Sequence, residues 1–304
     1  MKIYTITLNP AYDIHATAAT FAGECENLAT VTSREAGGKG VNISRALCTN
    51  GVANTAVVVI GTENAGEFKQ QLLRMDTCYL ERPGRIRENL TLHTVGQRET
   101  RISFAGFSVD DSILQEVLAA MQVDADTVVT FTGRVAAGMS MEAVKAFLRT
   151  LQNRGAKLVL DSKSFRTEDI LDLKPWLIKP NEEELAAYVG CPVETMTDAM
   201  EKAKLFTDGN IENVLLSMGA QGAVLLTGGK TCTAKPPRIK AISTVGAGDS
   251  MIAGFLAAAA LGDAPENCLK MAVAYGTAAC LTEGTLPPEP AAVKRIYRQV
   301  EVTA

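Results

Sequence analysis

The chain has little that would carry it to a membrane or to a polyanion. Its 304 residues hold 30 Lys+Arg against 34 Asp+Glu, a net charge of -4, so it has no broad positive field for nucleic acid or an anionic bilayer. Any anion it binds must meet a local arrangement. No apolar run approaches the roughly 20 residues that span a bilayer; the longest strongly apolar stretch, residues 251–261, is interrupted by Gly254. The first eight residues carry one Lys and an alternating run that ends at Asn9-Pro10, which reads as a first strand and not as a secretory leader. The seven cysteines include no Cys-x-x-Cys pair, as expected of a reduced, cytoplasmic protein. Internal repeats and low-complexity linkers are missing too. What is present, 47% hydrophobic and 21% charged residues, is globular composition and excludes disorder. The length suits one large domain or two modest ones.

Short β-rich runs alternate with longer helical patterns. Strands are predicted at residues 55–60, 127–131, 156–160, 213–217 and 223–226, and helices at 65–75, 197–207, 249–261, 265–281 and 290–300. Ser140 reads as the N-cap of a helix through Asn153, with Gly155 past its end. Such alternation predicts an α/β domain, a mostly parallel sheet covered by helices on both faces. Residues 13–34 and 85–107 break the pattern with alternating, strand-like segments, expected to be antiparallel and outside the main sheet. The large domain is therefore expected over residues 1–10, 36–84 and 108–304, with a small β-layer over 11–35 and 85–107.

Five stretches carry chemistry. In Thr244-Val245-Gly246-Ala247-Gly248-Asp249-Ser250, two glycines before an apolar helix point free N–H groups at one spot, an anion site favoured by the helix dipole. A carboxylate there repels phosphate but suits a general base beside a phosphoryl group; the alternative is that Asp249 caps the helix. Gly37-Gly38-Lys39-Gly40-Val41-Asn42 allows close backbone approach to a ligand, or is a tight turn before a helix with a solvated Lys. It is not a Walker A motif, which needs Ser or Thr after the Lys. The Rossmann Gly-x-Gly-x-x-Gly after the first strand is also missing, and Gly229-Lys230-Thr231 lacks the earlier glycine. Arg82, Arg85, Arg87, Arg98 and Arg101 are interleaved with Glu81, Glu88 and Glu99. They read either as cross-strand pairs or as one or two bidentate grips on a phosphate. In Lys179-Pro180-Asn181-Glu182-Glu183-Glu184 acids fill a first helical turn, as the dipole favours, or order Mg²⁺ and its waters. Ser217-Met218-Gly219-Ala220-Gln221-Gly222 is a Gly-rich turn or the floor of a nucleotide pocket.

The order and spacing of these stretches, with Asn9-Pro10-Ala11-Tyr12-Asp13 at the start, resemble the PfkB, or ribokinase-like, family of sugar kinases nearly end to end. The first and last motifs look most like its 1-phosphofructokinase and tagatose-6-phosphate kinase branch. That resemblance implies a three-layer α/β/α domain with a β-sheet lid that excludes water, and a homodimer formed through the lid. It implies Asp249 as the base, with the N–H groups of Gly246, Ala247 and Gly248 holding the γ-phosphoryl. Asp13, Gly37, Gly38 and Asn42 would bind the sugar, and Lys39, Arg87 and Arg101 its phosphate. Asn181 and Glu184 would serve ATP and Mg²⁺, with Ser217, Gly219, Gly222 and Gly248 lining the nucleotide site. The implied reaction converts fructose 1-phosphate to fructose 1,6-bisphosphate; tagatose 6-phosphate, an unphosphorylated sugar or nucleoside, or a non-catalytic sugar-phosphate sensor are the alternatives. One departure stands out. Where the branch usually reads Ser-Gly-Ser-Leu-Pro, this chain has Thr132-Gly133-Arg134-Val135-Ala136.

Overall fold

Buried β-branched runs form the centre of the molecule. The computed structural model describes residues 1–97 and 99–303; Arg98 lies outside the described residues. In chain order the elements are β1 (Lys2–Thr7), β2 (Ala11–Ala18), β3 (Thr30–Gly37), α1 (Lys39–Thr49), β4 (Thr55–Gly61), α2 (Ala65–Gln71), β5 (Thr77–Arg82), β6 (Arg87–Thr94), β7 (Thr100–Ser103), α3 (Ile113–Ala119), β8 (Thr127–Thr132), α4 (Met141–Asn153), β9 (Lys157–Asp161) and α5 (Thr167–Leu173). There follow β10 (Leu177–Ile178), α6 (Glu182–Val189), α7 (Met196–Asp208), β11 (Asn213–Ser217), β12 (Ala223–Thr227), β13 (Lys230–Lys235), α8 (Ala247–Ala260), α9 (Pro265–Ala279), α10 (Pro290–Tyr297) and β14 (Glu301–Thr303).

Ten strands form one sheet in the order β14-β13-β12-β11-β10-β9-β8-β1-β4-β5. From β11 to β5 every pairing is parallel; the β12–β13–β14 edge is antiparallel. Successive residues of the central strands serve opposite cores, as the pleat requires. Val129, Leu158 and Leu216 pack with Leu148 of α4 and Phe206 of α7. Val128, Val159 and Leu215 pack with Ile43 of α1, Ile252 of α8 and Leu269 of α9. The result is a three-layer α/β/α fold with helices on both faces. No described helix is long and apolar enough to cross a membrane.

A second sheet has the order β3-β2-β6-β7. The sequence predicts antiparallel pairing here. That holds for β2–β3 and β6–β7, but β2 and β6 run parallel. Both strands leave the main sheet the same way, β2 just after β1 and β6 just after β5, and β1 and β5 themselves point in one direction. One face of this sheet is apolar: Tyr12 and Ala36 pack with Val58, Phe68 and Ile86. The opposite face follows from the alternation and carries Asp13, His15, Glu35, Arg87, Asn89 and Arg101. The chain's two histidines meet on it, His15 Nδ1 lying 3.1 Å from His93 Nε2 with the rings stacked. Glu35 ties the small sheet to the segment after α9, its Oε2 accepting from the Thr285 hydroxyl (3.1 Å) and amide (3.3 Å).

Candidate active site

In open α/β sheets, ligands bind at the carboxyl ends of the parallel strands. Four of those ends, on β1, β8, β9 and β10, are neighbours here. Into this edge points the start of α8. Gly246, at φ +77, turns the chain in a left-handed conformation that side chains resist, and Ala247 begins the helix. Residues 250–258 of α8 are buried, including Ile252, Phe255 and Leu256, so apolar packing fixes the axis and hence the aim of its N-terminus. Asp249 lies in this first turn and is buried.

Asp249 Oδ2 accepts a 2.9 Å hydrogen bond from Nδ2 of Asn42, which is also buried. Burial raises the Asp249 carboxyl to about 6, and Asp161 adds to the shift while Lys39, Asn42 and Lys179 oppose it. The other amide atom, Asn42 Oδ1, is buried without a partner among the described residues. Lys39, the first residue of α1, reaches Asp161 Oδ2 at 2.8 Å. Its burial favours the neutral amine, but Asp161, Asp249 and Glu184 outweigh that, and its pKa is raised. Asp161 ends β9; Lys179 Nζ lies 4.0 Å from the same oxygen. Desolvation pushes the Asp161 carboxyl up, yet Lys179 and Lys39 together hold it below the usual range. Lys179 also lies against the α8 turn: a methyl group on Gly248 would come within 3.0 Å of Nζ.

A second group sits on the small sheet. Asn89 Nδ2 donates to Asp13 Oδ1 (2.9 Å), Arg87 Nη1 to Asn89 Oδ1 (3.2 Å) and Arg87 Nε to the Asn9 carbonyl (3.4 Å). Gly37 leaves room for Asp13, whose carboxylate occupies the place of a side chain there. Burial raises the Asp13 carboxyl, against the pull of Asn89 and Arg87. For Arg87, burial lowers the pKa, Asp13 raises it and the charge of Arg134 lowers it further. The stretch Gly37-Gly38-Lys39-Gly40-Val41-Asn42 joins the groups, as β3 runs directly into α1. Arg101 shares the polar face but is exposed and paired with Glu99 at 2.8 Å, so it is not brought into the Arg87 group.

Asn181 caps α6: its Oδ1 accepts from the Glu184 amide (2.8 Å) and its own amide donates to Glu184 Oε2 (3.1 Å). The helix-start reading of this motif therefore holds. Glu184 Oε1 lies 3.7 Å from Lys163 Nζ, and Asp161 and Glu184 both act on Lys39. Ser217 ends β11 beside Asn181, and Gly219 and Gly222 form the turn from β11 into β12. Asp161, Lys163 and Lys179 had no predicted role. The signal for Asp161 was its place directly after the buried run Leu158-Val159-Leu160, at a strand's carboxyl end.

A buried acid with its pKa raised to about 6 at a glycine-turned helix start, near two lysines, can take up a proton beside an anionic group. The sequence matches the pfkB family carbohydrate kinase pattern over residues 5–292. The chain belongs to the pfkB family of carbohydrate kinases. It is a phosphotransferase with an alcohol group as acceptor. It is 30% identical to a 1-phosphofructokinase of Vibrio cholerae, covering 100% of this chain and 97% of that one. Against a 1-phosphofructokinase of Escherichia coli it is 30% identical, covering 91% of this chain and 90% of the other. The fold matches phosphofructokinase-2 from Escherichia coli, in complex with substrates and products, with a TM-score of 0.90 at 26% identity over 98% of this chain and 99% of that one. Kinases of the pfkB family use ATP.

Proposed function

We propose that this pfkB kinase transfers the γ-phosphoryl of ATP to a hexose phosphate, fructose 1-phosphate first, giving fructose 1,6-bisphosphate. The observation that carries the reading is the buried Asp249–Asn42 pair at the start of α8, with the Asp13–Asn89–Arg87 group at the other end of the Gly37–Asn42 stretch. One end suits the transferred phosphoryl and the other the phosphate already on the sugar. The names of the relatives support the same substrate class.

In the proposed reaction a sugar hydroxyl gives its proton to Asp249 as its oxygen bonds to phosphorus; the bond to the bridging oxygen breaks and ADP leaves. A carboxyl raised to about 6 is mostly ionised at neutral pH, yet basic enough to take that proton. The N–H groups of Gly246, Ala247 and Gly248, with Lys39 and Lys179, stabilise the charge that spreads over the phosphoryl oxygens. This gives Lys39 to the transferred group, nearer Asp161 than Arg87. The free Oδ1 of Asn42 accepts from a sugar hydroxyl, beside Asp13, Gly37 and Gly38. Asn181, Ser217, Gly219 and Gly222 border the nucleotide.

The carboxylates suit Mg²⁺ held mainly by water and phosphate. Among the described residues no cluster of three acids, histidines or cysteines forms a protein cage for a metal, and Mg²⁺ seldom uses one. Glu184 and Asp161 would hold the ion's waters; when bound, it neutralises charge on the phosphates. Residues 11–35 and 85–107 act as a lid that keeps water out. Val31, Ile102 and Phe104 on or beside the outer strands of that sheet are exposed, which favours a homodimer through the lid. The seven free cysteines suit the cytoplasm.

The test is ADP release over a panel of phosphorylated and unphosphorylated sugars. Turnover of fructose 1-phosphate or tagatose 6-phosphate is expected to exceed that of free sugars. Asp249→Asn should lower kcat by roughly two to four orders of magnitude; wild-type rates in that variant would remove Asp249 as the base.

A further inference from the structure

Arg134 stands two residues past β8, which ends at Thr132. β8 runs parallel to β1 with Ile6 beside Phe131; β1 ends at Thr7 and β8 at Thr132, with Gly133 turning at φ +83, so the segments that carry Asn9 and Arg134 leave neighbouring strand ends at the same sheet edge. Asn9 is where Arg87 rests, through its carbonyl. The backbone on both sides of Arg134 is tied down: the Gly133 amide donates to the Asp161 carbonyl (3.0 Å) and the Val135 amide to Ser164 Oγ (3.1 Å). The departure from Ser-Gly-Ser-Leu-Pro therefore sits on a fixed strand end beside the Arg87 group.

Neither guanidinium has an acid of its own. Arg34, Arg85 and Arg101 of the small sheet each pair with a glutamate. Arg87 instead donates to the neutral oxygens of Asn9 and Asn89. Arg134 is exposed and, among the described residues, makes no hydrogen bond or ion pair. The nearest acid to Arg87, Asp13, is already held by Asn89. Asp13 offsets part of the Arg87 charge and Arg134 opposes it, and like charges near one another favour an anion between them. The lowering of the Arg87 pKa by Arg134 is the same repulsion seen from one side.

We infer that Arg134 joins Arg87 in gripping the phosphate ester of the substrate, a second charged contact where the branch it resembles usually has a serine hydroxyl. The inference rests on the kinase reading above. A guanidinium offers parallel N–H donors and a full charge to a phosphate dianion, where serine offers one neutral hydroxyl. Arg134 is thus a contact to the phosphate that the substrate brings with it.

The experiment is steady-state kinetics of the whole protein with Arg134→Ser, Arg134→Gln and Arg134→Lys, beside Arg87→Ala, with thermal unfolding to confirm the fold. Arg134→Ser and Arg134→Gln should raise KM for the accepted sugar phosphate by roughly 10- to 100-fold. The KM for ATP and kcat should stay within about two-fold, and Arg134→Lys should recover part of the loss. Inorganic phosphate, tested as a competitor of the sugar phosphate, should lose inhibition by a similar factor in Arg134→Ser. An unchanged sugar-phosphate KM in the Ser and Gln variants, with Arg87→Ala impaired, overturns the role of Arg134 and leaves the kinase reading intact. An equal KM rise for ATP or for free sugars also overturns it, as a general disturbance. Wild-type protein that phosphorylates only free sugars overturns both, and does so before any variant is made.

Discussion

Asn42 and Asp249, 207 residues apart in the chain, meet across 2.9 Å through one buried hydrogen bond. The amide donates, so it favours the ionised carboxylate against the burial that opposes it. The start of α1 thereby helps to keep a group at the start of α8 ionised.

Activity should depend on pH through this pair. Asp249 must be ionised to accept a proton, so kcat/KM is expected to fall as pH drops through about 6, by about tenfold per unit once well below it. Asn42→Asp places a like charge against the base and should move that acid limb upward by about a unit. A pH–rate profile of the two proteins checks this; an unshifted limb would show that Asp249 does not control it.

The base should also weaken the fold. Its folded value, about 6, lies above the ordinary 3.8, so the folded state binds the extra proton between those values. Stability then falls as pH rises from about 4 to about 6, and the loss persists at neutral pH. Asp249→Asn is expected to be more stable than wild type at pH 7 by roughly 2–3 kcal/mol, the gain vanishing below about pH 4. Urea unfolding at pH 7 and pH 4 would reveal the difference. A destabilised variant at pH 7 contradicts it.

Asp161 has the opposite sign. Its carboxyl is held below the ordinary 3.8 by Lys179 and Lys39, so its contribution is complete above that value and fades as pH falls through the folded one. Asp161→Asn leaves two buried or half-buried lysines without their counter-charge. The expected cost is roughly 3–5 kcal/mol at neutral pH. Calorimetry should find a Tm lower by about 5–10 °C; no change in Tm would mean that the lysines find other partners.

The helix pair that aims the anion turn should be sensitive to a single methyl group. On α8, a methyl on Gly254 would come within 2.5 Å of the Met271 carbonyl of α9. Gly254→Ala gains helix propensity of up to about 1 kcal/mol, but the overpacking should outweigh it, for a net loss of roughly 1–2 kcal/mol. A lower urea midpoint with reduced kcat is expected, because α8 carries Asp249. A more stable variant would show that the helices part at little cost.

Much of the fold was legible because periodicity records burial. Ser140, placed as an N-cap from sequence, accepts from the Ala143 amide, and the helix ends at Asn153 as expected. β13 and α3 were passed over, since Lys230–Lys235 alternates only weakly and Ile113–Ala119 is two turns long. The parallel pairing of β2 with β6 depends on where two distant strands leave the main sheet, which no local pattern encodes. At the site, glycine-rich turns and caps showed in the sequence because backbone geometry restricts the residue types allowed. The Asp161–Lys39–Lys179 cluster did not, because three single residues on β9, α1 and the end of β10 become a unit only when those strand ends align.

The placement of rare residues provides two internal reporters. Both histidines stack together on the small sheet, while the single tryptophan, Trp176, packs edge-on against Phe255 of α8. Imidazole resonances in an NMR spectrum would follow the small sheet alone, and indole fluorescence would follow the main body. The unmodified protein thus separates the two signals, so opening of one sheet over the other can be timed without attaching a label.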